Sequence, residues 1–125
     1  MAFTTYFQKA LANHVFGGVS YSPVATVYIG LFVGATEVSG GSYVRQAVTV
    51  STGLTVNNTT GVVTNAVKIS FPTSTASWGT ITQFKMYDGT GGSENILLSG
   101  SLTTPTLVGD NYVFSFEIGE LSIQF

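Results

Sequence analysis

Thr26-Val27-Tyr28-Ile29-Gly30-Leu31-Phe32-Val33 is the stretch on which the fold turns. All of it but Gly30 and Leu31 is β-branched or aromatic, the side chains that suit a pleated, half-buried surface. Apolar groups fall at odd and even positions alike, so the stretch reads as a central strand covered on both faces, one of them by a helix. The surrounding apolar run, Val24 to Val33, is interrupted by Thr26 and Gly30 and falls short of the roughly 18 residues that span a bilayer. No membrane association is expected.

Upstream, Thr5 followed three residues later by Gln8 reads as a capping box. Phe7, Ala10, Leu11, His14 and Val15 then keep the spacing of one helical face, and Gly17-Gly18 supplies the left-handed residue that ends a helix. The pattern predicts a helix over 5–16, packed by that face onto a sheet. Downstream the period is two. Tyr43 to Val50 sets Val44, Val48 and Val50 against Arg45 and Thr49, and Val67, Ile69 and Phe71 alternate with Lys68 and Ser70 until Pro72. Further strands are expected over 80–87, 96–102, 112–118 and 121–125. The Gly-rich segments 37–42 and 88–93 read as loops, and Asn57-Asn58-Thr59-Thr60-Gly61 as a turn between short strands. The expected fold is mainly β: an antiparallel, jelly-roll-like β-sandwich of about 7–8 strands with one N-terminal helix packed on it. Residues 1–125 are expected to form a single domain around one core.

Composition narrows the function. Hydrophobic residues make up 44% of the 125-residue chain and charged residues only 8%, which excludes a disordered segment. Net charge is −2 with no basic cluster, so nucleic-acid phosphates have nothing to dock on. The absence of cysteine removes disulfides, thiolate metal sites and cysteine nucleophiles together. Met1-Ala2-Phe3-Thr4-Thr5 lacks the basic and apolar regions of a signal peptide, so synthesis in a cytoplasm is expected. The polar surface falls to 18 Thr, 13 Ser and 15 Gly, and neutral surfaces of that kind suit close contact with other protein because interface cores are depleted in charge.

Groups that carry chemistry are scarce. His14, the only histidine, lies on the apolar face of the predicted helix with no neighbouring carboxylate to fix its tautomer, and no G-x-S-x-G elbow is present. Glu117 and Glu120 have no aromatic platform beside them except Phe114 and Phe116, so they read as a solvated face and not as a glycosidase pair. Asp88-Gly89-Thr90-Gly91-Gly92 lacks both the alternating oxygen ligands of a calcium loop and the lysine of a phosphate loop. The overlapping sequons at Asn57 and Asn58 read as a polar turn. No catalytic, cofactor-binding or metal site is predicted, and the chain reads as a non-enzyme. The residues singled out for an interface are Trp78, Arg45, Tyr43 and Glu37. Trp78, the only tryptophan, reads as a loop anchor or an interface hot spot. Arg45, with few charges near it, is expected to pair with Glu37, since an unpaired guanidinium at an interface is costly.

Several stretches taken together resemble a family of small tailed-bacteriophage virion structural proteins. They are the helix ending in Gly17-Gly18, the segment Tyr21 to Phe32, and Thr36-Glu37-Val38-Ser39-Gly40-Gly41-Ser42-Tyr43-Val44-Arg45-Gln46. Ile69-Ser70-Phe71-Pro72, Ser77 to Phe84, the turn at 88–92 and Leu102-Thr103-Thr104-Pro105 follow in the same order. Such proteins are labelled tail fibre, minor structural or capsid decoration proteins, so the resemblance implies a place in the virion, synthesis in the host cytoplasm and no catalytic activity. Partners would be other virion proteins, the major capsid protein or tail proteins, and the threefold symmetry common in decorations and fibres implies a homotrimer. With no repeat to build a shaft, a capsid decoration (cement) role on the assembled lattice is expected ahead of a tail fibre. A carbohydrate-binding module is the third reading, with Tyr6, Tyr21, Tyr28, Tyr43, Tyr87 and Tyr112 as the available stacking faces.

Overall fold

The computed structural model describes residues 2–125. Along the chain run β1 (Ala2–Phe3), α1 (Thr5–Phe16), β2 (Thr26–Val33), β3 (Thr36–Glu37), β4 (Gln46–Thr49), α2 (Val50–Gly53) and β5 (Leu54–Val56). They are followed by β6 (Val63–Asn65), β7 (Ile69–Ser70), β8 (Gly79–Tyr87), β9 (Ile96–Val108), β10 (Ser115–Phe116) and β11 (Ser122–Ile123). The described chain is mainly β and every strand pairing is antiparallel, as expected.

The main sheet has the order β1-β9-β8-β2-β3, with β4 also paired to β2. β2 keeps the predicted bounds and is central: Ile29 pairs with Met86 of β8 on one side and with Gln46 of β4 on the other. Val27, Ile29 and Leu31 point into the core. The β7–β10 ribbon lies against that core in a sandwich-like arrangement, with Phe84 of the main sheet meeting Phe116 of the ribbon edge-on at 5.9 Å. A third sheet, β11-β6-β5, adds Leu121 and Ile123 to the same apolar cluster.

Where the structure departs from the sequence reading, neighbours explain the difference. The helix cap is Thr4 and not Thr5: its Oγ1 accepts from the Phe7 N–H at 3.3 Å, so the Thr5–Gln8 box does not form. Thr4 is still extended, because its N–H donates to the Leu97 carbonyl and continues the β1–β9 pairing, and the helix can start only after it. Gly18 takes the left-handed conformation at φ +70°, as expected of the helix stop. α1 packs against β9 near the sheet edge, and the outer face of β2 is covered by polar side chains instead of a helix. Only the first turns overlie anything. Phe7, Ala10 and Leu11 are half-buried, whereas His14 and Val15 are exposed and Phe16 is 89% exposed.

Strand lengths differ too. Pairing in the 43–50 stretch is confined to Gln46–Thr49, because Tyr43 and Arg45 turn inward to Glu37 and push Val44 outward. The runs at 67–71, 112–118 and 121–125 pair over only two residues each. β9 extends beyond the expected 96–102 to Val108 by a bulge: Ile81 faces Thr106 and Gln83 faces Ser101, so Thr82 alone stands opposite Leu102–Pro105. Pro105, with no N–H to donate, suits that unpaired position.

Asn65, 1% exposed, is the polar centre of the third sheet. Its Nδ2 donates to the carbonyls of Val67 and Glu117 at 2.8 and 2.9 Å, and its Oδ1 accepts from the N–H groups of Gly119 and Leu121 at 3.1 and 2.9 Å. Asn65→Ala should lower stability by about 3 kcal/mol or more, since it strips partners from several shielded backbone groups. Asn65→Asp should also destabilise, by setting a carboxylate oxygen against two carbonyls. Urea denaturation measures both, and an unchanged midpoint for either would refute the assignment.

Candidate functional site

The four residues singled out from the sequence converge where the main sheet meets the loop at 38–42. Arg45 lies just before β4, Glu37 ends β3, Tyr43 leaves the loop, and Trp78 precedes β8. The predicted pair forms: Arg45 Nε donates to Glu37 Oε2 and Nη2 to Glu37 Oε1, both at 2.8 Å. Arg45 Nη1 reaches Glu94 Oε1 at 2.6 Å, and the guanidinium carbon stands 3.6 Å from the centre of the Tyr87 ring. The Tyr43 hydroxyl donates to Glu37 Oε2 at 2.7 Å and accepts from the Leu31 N–H at 2.9 Å. Two-pronged carboxylate binding combined with aromatic stacking is what a guanidinium does and an ammonium cannot.

The cluster sits on Gly30. A Cβ there would stand 2.8 Å from Glu37 Oε2, 3.1 Å from the Tyr43 hydroxyl and 3.2 Å from the Tyr87 ring. The only residue without a side chain in the central strand is therefore the one that lets the ion pair lie flat on the sheet. Electrostatics follow from this crowding. Burial alone would raise the Glu37 carboxyl, but hydrogen bonds from Arg45 and Tyr43 outweigh it and hold the group below its ordinary value. The Arg45 hydrogen bond lowers Glu94 as well. Burial and the Glu37 carboxylate push the Tyr43 hydroxyl up, and burial raises Tyr87.

Trp78 is 6% exposed and fastens the same region from the other side. Its Nε1 donates to the Gly41 carbonyl at 2.9 Å, and its ring meets Tyr43 edge-on at 5.5 Å. Gly41 also accepts from the Thr75 N–H, and the Ser42 and Thr75 hydroxyls lie 3.0 Å apart. Gly40, Gly41 and Ser42 all take left-handed φ, between +57° and +74°. The loop is thus clamped at both ends while Ser39, Gly40, Ser42 and Val44 face outward.

Sequence reasoning missed Glu94, Tyr87 and Gly30. Glu94 follows the Gly-rich 88–93 loop, whose glycines drew attention to backbone turns and not to the carboxylate beyond them. Each nitrogen of Arg45 donates to a carboxylate of the cluster, so its charge is already paired within the protein. The other chemical candidates are dispersed: His14 Nδ1 accepts from the Tyr21 N–H, Asp88 binds Asn95, and Glu120 Oε2 accepts from the Glu117 N–H. The arrangement can hold a shape and present a neutral surface.

The described chain is thus mainly β and poor in charge, with its 38–42 loop clamped and facing outward. The chain belongs to the Gp80 family, described as podophage GP4 fiber I protein gp80, which matches residues 2–124. That membership makes it a phage structural protein associated with other virion proteins, in agreement with the resemblance read from the sequence. A search among curated proteins finds no match.

Two outcomes test the cluster. Gly30→Ala should destabilise the fold by roughly 1–3 kcal/mol, the usual cost of an overpacked methyl, measured by urea denaturation. The second concerns pH. Because Glu37 and Glu94 have lowered values, the unfolded chain binds more protons than the folded one in acid, so stability rises with pH there. Their contribution is present above the ordinary carboxylate value of 4.5 and is lost as pH falls through the folded values. Glu37→Gln should lower the melting temperature at pH 7 and flatten its decline between pH 5 and about pH 3. A decline as steep as in the parent would show that Glu37 is not the group responsible.

Proposed function

We propose that the chain is a non-enzymatic fibre subunit of a podophage virion, assembling as a homotrimer and docking on other virion proteins through neutral, apolar surfaces. The observation that carries this reading is the exposed apolar surface on a chain whose family is described as a fibre protein. Val15, Phe16 and Val19 protrude from the end of α1, and Leu107, Val113 and Ile118 are also exposed. Charges are largely occupied close to home: Arg45 in its cluster, Lys85 4.5 Å over the Phe32 ring, and Lys68 3.4 Å from Glu117. Contacts of this kind should vary little with salt, unlike a charge-steered interface. The clamped loop at 38–42 contributes to docking by keeping its shape, with Trp78, Tyr43, Arg45 and Glu37 as its supports.

The family description moves the preference from capsid decoration, which the sequence alone favours, to the fibre. Decoration remains the second reading because no shaft-like repeat occurs in the sequence. Particles assembled with and without the gene separate the two. In the fibre reading, particles without the protein keep their heat-triggered genome release temperature and lose host adsorption or tail completion. A lowered release temperature with adsorption intact would overturn it in favour of a lattice cement.

A further inference from the structure

The β7–β10 ribbon does not pair with the main sheet, and on the side facing β9 the seam opens as a groove of about 410 Å³. That volume falls within the roughly 300–1,000 Å³ typical of small-ligand sites. One wall is the β9 bulge, which contributes the hydroxyl-bearing residues Thr103, Thr104 and Thr106 to the lining, the Thr106 hydroxyl donating to the Thr104 carbonyl at 3.2 Å. The other carries Tyr112 at its rim and Phe114 at its floor, with Glu120 completing the lining.

Tyr112 is held in place. Its backbone N–H donates to Ser74 Oγ and its carbonyl accepts from the Ser74 N–H, both at 2.9 Å. Ser74, itself 1% exposed, also accepts at its carbonyl from Asn111 N–H and donates its hydroxyl to Gly109. One buried serine therefore fixes the 109–112 turn, while Tyr112 itself remains 43% exposed. Its backbone position does not depend on its ring. Glu120 is steadied too, one carboxylate oxygen accepting from the Glu117 N–H.

We propose that this groove binds a neutral saccharide. A sugar ring has an apolar face that stacks on an aromatic rim and a belt of hydroxyls that exchange hydrogen bonds with threonines and one carboxylate; the groove offers those three features together. It has no cationic lining residue, and its one charge is negative, which disfavours phosphates, sulfates and acidic sugars. The site is separate from the Arg45 cluster, and the proposal does not rest on the fibre reading, because it concerns what the isolated chain binds.

The test is titration of ¹⁵N-labelled protein with a panel of neutral hexoses and N-acetylhexosamines and their disaccharides, beside a sulfated disaccharide and an extended neutral peptide. Expected is fast-exchange binding of at least one neutral sugar, with a Kd on the order of 0.1–1 mM. The shifted resonances should cluster at 103–106 and 112–116. Tyr112→Ala should weaken binding about tenfold with an unchanged melting temperature, and Tyr112→Phe should retain it. Glu120→Gln should weaken it less. Shifts mapping elsewhere, a Tyr112→Ala affinity equal to that of the parent, or no response to any neutral sugar would overturn the proposal. So would preferential binding of the sulfated sugar or of the peptide.

Discussion

A guanidinium lying flat on the outer face of the central strand is the constraint around which this end of the molecule is arranged. Arg45 joins β3, the approach to β4 and the β8–β9 loop through Glu37 and Glu94, while stacking on Tyr87 of β8. None of these segments is long enough to be held by backbone pairing alone: β3 pairs over two residues, and the β8–β9 loop is Gly-rich. Exposed ion pairs contribute little, but this one is partly shielded, two-pronged and stacked, so its loss would release three segments at once. The cost of desolvating the charges is offset because both Glu37 oxygens, both Glu94 oxygens and the Tyr43 hydroxyl all find partners.

The same economy of pairing shapes the opposite side. Beyond the two-residue pairing with β1, β9 is the edge of the main sheet; the ribbon of β7 and β10 is only two residues deep, and the two meet by aromatic packing instead of hydrogen bonds. Phe84 can reach Phe116 because Gly100 stands opposite it in β9; a Cβ on Gly100 would lie 2.6 Å from the Phe84 ring. Glycine at the center of a long strand weakens it locally, and the aromatic cover returns the lost contact. A seam closed by side chains leaves its strand edges open, and the β9 bulge lies along that open edge.

What the sequence disclosed divides along physical lines. Elements whose neighbours lie close in sequence, or whose pattern is strong, were legible: β2 to the residue, the Asn57 turn, the glycine stop of α1 and the Arg45–Glu37 pair, eight residues apart. Elements set by distant partners were not. Thr4 displaces Thr5 as cap because Leu97 claims its N–H, and Val44 faces outward because its neighbours answer to Glu37. Glu94 joins a cluster 49 residues from Arg45, and Asn65 meets partners more than 50 residues away. Alternation reports which face is buried; it does not report which polar group on that face finds a partner.

The low charge content and the Arg45 cluster belong to one account. With only four Lys and Arg and six Asp and Glu in the chain, each charge drawn inward or against a neighbour leaves the surface to Thr, Ser, Gly and exposed apolar groups. Such a surface repels its own copies weakly and gives up little hydration free energy on contact, conditions that favour dense packing in an ordered assembly. It also lacks long-range steering, so association must come from local concentration and shape. Shape, in a chain of short strands, depends on clamps such as Arg45 on Gly30, Trp78 on Gly41 and Ser74 on the 109–112 turn. The few charged and buried polar side chains thus serve the neutral surface by fixing the loops that form it.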